Sequence, residues 1–315
     1  MLQISLAVIK LTAIAVLGFY FYKRRLIDQR VLDFLIFFVI NFAFPFLGFS
    51  HIVESLHINS GYSIGMFILV SIAIFFVSFI LGFLFSVKRK HDFKKEFISL
   101  VAFQNCGYLP LSIAIFFLPA PLSEEFIIYN FMYILGFDIM FWSVGSFLIF
   151  KKKGEEFKMK SILTPPIVAT VLALFFVYSG LAKFIPSVII SPLKMVGDTS
   201  FVLSMIILGC WLAKISTTNL YKRVFIVLEA SLLKLVLLPF IFLLIVLKLD
   251  IVSLFGLFVV LQAAMPSAVS LPIVANLRKA DSEFVSQGVL LSHILSIVTI
   301  PLWVGLYMQF SHFSF

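Results

Sequence analysis

Long apolar runs constrain this chain more than any other feature, because a globule exposed to water cannot cover them with polar side chains. Each run reaches or exceeds the ~20 residues that a helix needs to cross ~30 Å of hydrocarbon. The runs are continuous and do not alternate with polar residues, which favours helices over strands. With 62% apolar and 12% charged residues, the sequence indicates an all-α integral membrane protein. We predict ten transmembrane helices, at about 3–22, 31–50, 61–87, 97–117, 125–150, 161–181, 189–213, 224–247, 252–276 and 284–309.

Basic residues occupy alternate loops between these spans. Lysine and arginine mark the cytoplasmic side of membrane proteins, so a regular alternation supports both the number of spans and their orientation. The opposite loops hold few basic residues, chiefly Lys183 and Lys248. The pattern predicts a multi-pass protein of the cytoplasmic (inner) membrane with both termini outside, and it accounts for the net charge of +9 without a nucleic-acid partner. The first apolar run precedes its basic residues, which is not the order of a signal peptide. The basic loops contain Lys23, Arg24, Arg25 and Arg30; Lys88, Arg89, Lys90, Lys94 and Lys95; Lys151, Lys152, Lys153, Lys158 and Lys160; Lys214, Lys222 and Arg223; and Arg278 and Lys279.

The two halves of the chain, 1–150 and 151–315, each hold five predicted spans. Because five is odd, the second half enters the membrane upside down relative to the first, which is the inverted-repeat plan of secondary transporters. Spans 4 and 9 are then equivalent, and each has two apolar residues, a glutamine, small residues and a mid-span proline. The glutamines are Gln104 and Gln262, and the prolines are Pro110 and Pro266. Proline removes a backbone donor and clashes with the preceding turn, so we expect both helices to be broken there.

Two broken helices at matching positions point to a binding site at their crossing. The second half of each helix begins near the midplane, where its N-terminus offers free N–H groups and partial positive charge to an anion. Neither span carries an ionisable side chain near its break, whereas a cation carrier would place a carboxylate there. Two plainer interpretations stay open: the prolines only kink the helices, and the glutamines only satisfy freed backbone groups. The candidate substrate-binding residues are Gln104, Asn105, Gly107, Pro110, Gln262, Met265, Pro266 and Ser267.

A few ionisable residues lie within the predicted spans, where each is costly unless it is paired or hydrated. Asp138 in span 5 and Lys234 in span 8 lie at similar depth. They form a static ion pair, or Lys234 lends positive potential to the anion site. His293 relays a proton or is simply hydrogen-bonded within the bundle. These three residues are the candidates for coupling or charge, and no spacing of cysteine or histidine predicts a metal site.

The sequence resembles the auxin efflux carrier family over nearly its whole length. The matching features are Gly18 with Asn41 and Pro45; 103–111 (Phe-Gln-Asn-Cys-Gly-Tyr-Leu-Pro-Leu); 164–167 (Thr-Pro-Pro-Ile); 208–209 (Leu-Gly); Lys234 with Pro239; 264–268 (Ala-Met-Pro-Ser-Ala); and Asp281 with 292–301.

The resemblance implies an architecture and a mechanism. Helices 1, 2, 6 and 7 would form a scaffold, and helices 3–5 and 8–10 a transport domain that moves like an elevator. The substrate would lie where helices 4 and 9 cross, beside Asn105, Pro110 and Pro266. Ala263 stands where the plant carriers have a second asparagine, which argues against auxin itself. Bacterial members are described as malonate or malate permeases, and members of the family assemble as homodimers.

The leading hypothesis is a secondary transporter (permease or efflux carrier) of small organic anions, with carboxylates as the substrate class. Membrane potential or a coupled proton or sodium ion would drive it, since the chain has no ATP-binding motif. The alternative is a sodium-coupled organic-anion symporter of the bile-acid type, which Asp138 keeps open. An intramembrane enzyme is disfavoured, because the chain lacks zinc-protease and nucleophile-turn motifs. A sensor would bind its ligand without transporting it. We expect no enzymatic activity and no cofactor.

Overall fold

The computed structural model describes residues 2–55, 63–87, 93–143, 149–150, 163–214, 220–251, 253–277, 279–311 and 313. Much of the predicted charge alternation rests on basic residues at 88–90, 151–160 and 278, which lie outside these ranges. The orientation of the chain therefore stays a prediction from the sequence.

The described residues form helices that follow the apolar runs closely. Those of the first half are α1 (Leu2–Lys23), α2 (Gln29–Phe38), α3 (Phe44–Ser55), α4 (Ile64–Ser86), α5 (Lys94–Ala102), α6 (Tyr108–Phe117) and α7 (Ala120–Asp138). Those of the second half are α8 (Pro165–Tyr178), α9 (Ser187–Lys214), α10 (Leu220–Leu232), α11 (Leu238–Lys248), α12 (Leu254–Ala263), α13 (Leu271–Leu277) and α14 (Ser282–Ser311). A short 3₁₀ turn, Ala182–Phe184, lies between α8 and α9.

Several of these helices are long and apolar enough to cross a membrane. In the described part of the chain there are five such stretches: Gln29–Glu54, Ile64–Ser86, Ser187–Lys214, Arg223–Lys248 and Ser282–Ser311. Pro165–Tyr178 and Leu254–Ala263 are shorter apolar helices. The all-helical fold class is confirmed, whereas ten spans in an inverted repeat remain a prediction.

Two long spans contain a π-helical turn immediately before a proline. In span 2, π1 (Val39–Ala43) joins α2 to α3, and Pro45 is the second residue of α3. In span 8, π3 (Leu233–Leu237) joins α10 to α11, and Pro239 is the second residue of α11. A proline ring clashes with the carbonyl four residues earlier, and widening the preceding turn relieves that clash. A third turn, π2 (Ile139–Ser143), follows α7.

The helices pack into two groups. The first packing group consists of α1, α2, α3, α8 and α9, in which α1 and α3 both pack on α9, and α3 packs on α8. Glycines allow its closest contact: a Cβ on Gly209 would overlap the backbone of Ala15, and one on Gly18 would overlap the backbone of Ile206. Small residues let helix backbones approach closely in membranes, where lipid is as apolar as the side chains. The contact between α1 and α9 therefore depends on these two glycines.

The second packing group consists of α4–α7 and α10–α14. Its centre is an aromatic cluster in which the ring of Phe258 lies 5.9 Å from that of Phe67, 5.1 Å from Phe126 and 5.6 Å from Tyr133. These contacts hold α12 against α4 and α7, at distances where aromatic pairs attract each other.

An ion pair joins two other helices of the second packing group. Arg223 Nη1 lies 2.9 Å from Asp281 Oδ2. The other carboxylate oxygen of Asp281 accepts the backbone N–H of Phe284 at 2.9 Å. Asp281 therefore caps the start of α14 and fixes α10 beside it.

We predict that Gly209→Ala destabilises the protein. The added methyl would force α1 away from α9, and overpacking of this kind costs roughly 1–3 kcal/mol. Gly65→Ala is the matched control, because its Cβ would meet only the hydroxyl of Ser63 at 3.9 Å. The measurement is the apparent melting temperature in detergent, which we expect to fall by several degrees for Gly209→Ala alone. Equal melting temperatures for the two variants would contradict this account of the helix contact.

Candidate functional site

Spans 4 and 9 are broken, and their extended segments cross each other. Helix α5 ends at Ala102 and α6 begins at Tyr108, while α12 ends at Ala263 and α13 begins at Leu271. Between these ends, Gln104 and Ser267 pair as an antiparallel bridge.

Each break supplies hydrogen-bond partners for the other. The backbone N–H of Asn105 donates to the carbonyl of Pro266 at 2.7 Å, and that of Ala268 donates to the carbonyl of Phe103 at 3.1 Å. An unpaired backbone group at this depth costs several kcal/mol. The reciprocal bonds therefore allow two helices to be interrupted inside the membrane.

The prolines do not all lie where the sequence suggested. Pro266 lies within the break of span 9, but Pro110 is the third residue of α6, after the break at 103–107. Pro272 is likewise the second residue of α13. Proline is tolerated in the first turn of a helix, where its missing N–H would have no helical partner. The expectation of a break at Pro110 was therefore wrong by a few residues.

A cavity of ≈280 Å³ lies between the crossing and the first packing group. Asp138 is its charged wall residue. Of the eight predicted substrate-binding residues, Gln104, Asn105 and Gly107 line it. The other five, which are Pro110, Gln262, Met265, Pro266 and Ser267, are buried without lining it. The wall consists of 104–107 and 268–270 from the crossing; Ile36, Val39, Ile40 and Phe44; Ile134, Phe137, Asp138 and Phe141; Thr164, Pro165 and Pro166; and Ser204, Met205, Ile207, Leu208 and Trp211.

The cavity reaches the start of α6. Cys106 and Gly107, which line it, directly precede Tyr108, the first residue of that ten-residue helix. The first N–H groups of a helix have no partner within the helix, and they carry partial positive charge. Helix α13 begins beside the cavity too, but its seven residues make less than two turns, so its dipole adds little. The sequence predicted two opposed helix N-termini at the site. In the structure, the positive charge comes mainly from the N-terminus of α6.

Lys234 is fully buried on π3 and lies behind the crossing. Its ammonium donates to the carbonyl of Val101 at 2.9 Å and to Oε1 of Gln104 at 3.4 Å. Val101 belongs to the last turn of α5, where carbonyls lack helical partners and a cation is favourable. Lys234 thus caps α5 and places a positive charge one residue behind the cavity wall.

Asp138 does not pair with Lys234, so the ion pair that the sequence allowed is absent. Oδ2 of Asp138 instead accepts the hydroxyl hydrogen of Thr164 at 2.7 Å. Thr164 is the residue before the first turn of α8. Among the described residues, no carboxylate forms an ion pair with Lys234. The two opposite charges serve different parts of the site.

Both predicted glutamines bind side chains of α7. Gln104 donates through Nε2 to the hydroxyl of Tyr133. Gln262 donates through Nε2 to Oδ1 of Asn130 at 2.5 Å and to the carbonyl of Cys106 at 3.4 Å. The contacts of Gln262 favour the plainer interpretation, in which it satisfies buried polar groups around the break, whereas Gln104 also faces the cavity.

Asn105 contacts His293 across the two halves of the chain. Nδ2 of Asn105 lies 3.2 Å from Nε2 of His293. The other ring nitrogen, Nδ1, lies 2.8 Å from the carbonyl of Val289, one turn earlier in α14. Both side chains are buried, with 7% of Asn105 and 6% of His293 exposed. His293 is therefore hydrogen-bonded in the bundle and also touches a residue of the cavity wall.

A family model described as membrane transport protein matches residues 3–304. The chain belongs to this family. The match confirms the membership of the auxin efflux carrier family that the sequence motifs suggested, and it makes the protein a membrane transporter. Membership also agrees with the expectation that the chain is not an enzyme. A comparison with curated proteins gave no match.

In this family member, sequence reasoning missed three polar residues of the site. Asn130 and Tyr133 are fully buried on α7, and Thr164 holds Asp138. An amide and a hydroxyl three residues apart, inside an otherwise apolar span, were a usable signal, since polar groups at that depth need partners. Thr164 carried no comparable signal, because no local pattern places it beside Asp138 of span 5.

We predict that Asn130→Leu destabilises the transporter. The change keeps the volume but leaves the buried amide of Gln262 without its shortest hydrogen bond, at a cost of roughly 1–3 kcal/mol. The matched control is Asn41→Leu, because within the described residues the amide of Asn41 bonds only the carbonyl of Phe37, in the same span. The measurement is thermal unfolding in detergent, with a fall of several degrees expected for Asn130→Leu. A smaller fall than in the control would show that the network at the crossing contributes no stability.

Proposed function

We propose that this membrane transporter is a secondary carrier of small organic anions, and that carboxylates bind in the cavity at the crossing. The observation that carries the proposal is the convergence of hydrogen-bond donors and positive charge on one end of that cavity. Its ≈280 Å³ lies just below the ≈300–1,000 Å³ of sites for drug-sized ligands, which suits a smaller substrate.

Three features of that end favour an anion. The amide of Asn105 lines the cavity and supplies directional N–H donors. The first turn of α6 adds partial positive charge, and anions bind such helix ends. When protonated, Lys234 adds a positive charge behind Gln104, in a buried environment where charges are weakly screened.

Asp138 is the feature that opposes an anion, because its carboxylate also lines the cavity. Its charge is compatible with an anionic substrate when a cation or a proton binds in the same transport cycle. This residue supports coupled transport, and it keeps sodium-coupled symport of the bile-acid type as the second candidate. A sodium gradient and a pH gradient, tested separately, distinguish the two.

The packing of the helices supports alternating access of the elevator type. The cavity has walls from both packing groups, and the hydrogen bond between Asp138 and Thr164 crosses their boundary. We assign the first packing group, with spans 1, 2, 6 and 7, as the scaffold and the second, with spans 3–5 and 8–10, as the transport domain. Sliding one group against the other would move the crossing without breaking its internal bonds. The proposed mechanism treats residues 1–150 and 151–315 as two inverted repeats.

The proposed setting is the cytoplasmic (inner) membrane with both termini outside. In that orientation the cavity extends toward the cytoplasmic side, because its wall includes Trp211, near the end of α9 that carries Lys214. A homodimer, implied by the family resemblance, would join scaffold to scaffold and leave the transport domains free to move.

We predict that the purified protein in liposomes takes up labelled malonate or malate under a pH or sodium gradient or a membrane potential. Asn105→Ala should lower the apparent affinity about 10–100-fold, because a hydrogen bond to a charged group contributes roughly 1.5–3 kcal/mol. Pro110→Ala should also lower uptake, since it changes the first turn of α6. Asn41→Ala is the control, because the amide of Asn41 bonds the carbonyl of Phe37 in the same span. Absence of uptake for acetate, lactate, malonate and malate under every gradient would refute the proposed substrate class.

We predict that Gln104→Glu weakens anion binding without unfolding the protein. The new carboxylate can accept from Lys234 and from the hydroxyl of Tyr133, so both partners keep a bond. It also cancels the positive charge of Lys234, and a unit charge at about 8 Å interacts by roughly 2 kcal/mol at an effective dielectric constant of 20. We therefore expect at least a tenfold rise in the half-saturating malate concentration. Gln309→Glu, at an exposed position, is the matched control, and unchanged affinity in Gln104→Glu would exclude an electrostatic role for Lys234.

A further inference from the structure

The hydrogen bonds of His293 determine which of its nitrogens carries hydrogen. The carbonyl of Val289, 2.8 Å from Nδ1, can only accept, so Nδ1 is the protonated nitrogen. In the neutral ring Nε2 then has a lone pair and accepts from Nδ2 of Asn105, 3.2 Å away. This assignment follows from the chemistry of the three groups.

Protonation of His293 would reverse the bond to Asn105. Nε2 would then carry a hydrogen, which the amide nitrogen of Asn105 cannot accept. Rotation of the amide by half a turn brings its oxygen to Nε2 and restores the hydrogen bond. The neutral state leaves Asn105 one free N–H and its oxygen, whereas the protonated state frees both N–H groups. Only the second arrangement leaves both N–H donors of the amide free for the substrate carboxylate.

We infer that His293 is a positioning residue that couples anion binding to the uptake of one proton, by turning the amide of Asn105 toward the substrate. The inference rests on the proposed function and names a proton as the coupling ion. The step forms one N–H bond at Nε2 of His293. The added positive charge balances one negative charge of the substrate, so a monocarboxylate and its proton bind together without net charge.

The surroundings of His293 support this coupling. Only 6% of His293 is exposed, and a buried positive charge without an anionic partner is costly. An anion bound beside Asn105 supplies that partner and offsets the cost. Proton and anion therefore favour each other's binding, as linkage requires.

No other ionisable side chain bonds to His293 in the described part of the chain. The ring of His293 contacts the amide of Asn105 and the backbone carbonyl of Val289. Ser296 donates its hydroxyl to the backbone carbonyl of His293 at 2.7 Å and leaves the ring unchanged. The acidic and basic residues on α14 and on the elements packed against it are Lys10, Lys23, Lys94, Lys95, Glu96, Lys222, Arg223, Glu229, Lys234, Lys248 and Glu283. Asp138 and the thiol of Cys106 lie across the cavity.

The test is calorimetric binding of malate to the purified protein over about pH 6.5–8.5, where carboxylic acids stay ionised. Titrations in two buffers with different ionisation enthalpies give the number of protons taken up per malate. For the wild type we expect the Kd to fall by up to tenfold for each unit fall in pH, with uptake of up to one proton. His293→Gln can present either an oxygen or an N–H to Asn105, so its Kd should be independent of pH and its proton uptake zero. Ser296→Ala should behave as the wild type.

The outcomes separate this inference from the proposed function. Malate binding by the wild type with a constant Kd and no proton uptake would overturn the coupling by His293 and leave the anion carrier standing. Persistent pH dependence in His293→Gln would also overturn it, since another group would then hold the proton. No malate binding by the folded wild type at any pH would overturn both. His293→Asn, also neutral, replaces His293→Gln if that variant does not fold.

Discussion

The fold depends on two backbone hydrogen bonds at the crossing, from Asn105 to Pro266 and from Ala268 to Phe103. A helix satisfies its own backbone, which is why helices cross lipid, and any interruption leaves polar groups that lipid cannot satisfy. Here two interruptions occur at the same depth, and each supplies hydrogen-bond partners for the polar backbone groups of the other. Because each break needs the other, the two halves of the chain must meet at this point.

Polar side chains of α7 hold the crossing in place. Asn130 and Tyr133 are fully buried, and each holds one of the two glutamines that flank the breaks. Lys234 completes this arrangement from the opposite side by capping α5. Buried polar groups stabilise a unique arrangement when they are satisfied and are costly when they are not. The crossing is therefore rigid, and movement is easier to accommodate at the boundary between the packing groups.

Sequence patterns predicted what depends on local chemistry. Apolar runs located the helices, and the glutamine and proline patterns located the two broken spans, because periodicity and backbone donors are properties of a segment. The exact position of the first break differed, since Pro110 begins a helix as readily as it ends one. The contacts of Asp138 with Thr164 and of Asn105 with His293 join residues 26 and 188 positions apart. No local pattern encodes such a contact, so depth alone suggested that Asp138 would meet Lys234, and it does not.

The separation of Asp138 from Lys234 bears directly on the proposed function as a carrier. Had Asp138 and Lys234 paired, the pair would be neutral and would act on no substrate. Instead Lys234 is fixed within the second packing group by Val101 and Gln104, so its charge would move with the crossing. Asp138 is held by Thr164 of the first packing group, so its contact must break if the groups slide. In the proposed mechanism, Lys234 would therefore stay with the substrate site in every state, whereas the contact of Asp138 would depend on the position of the moving group.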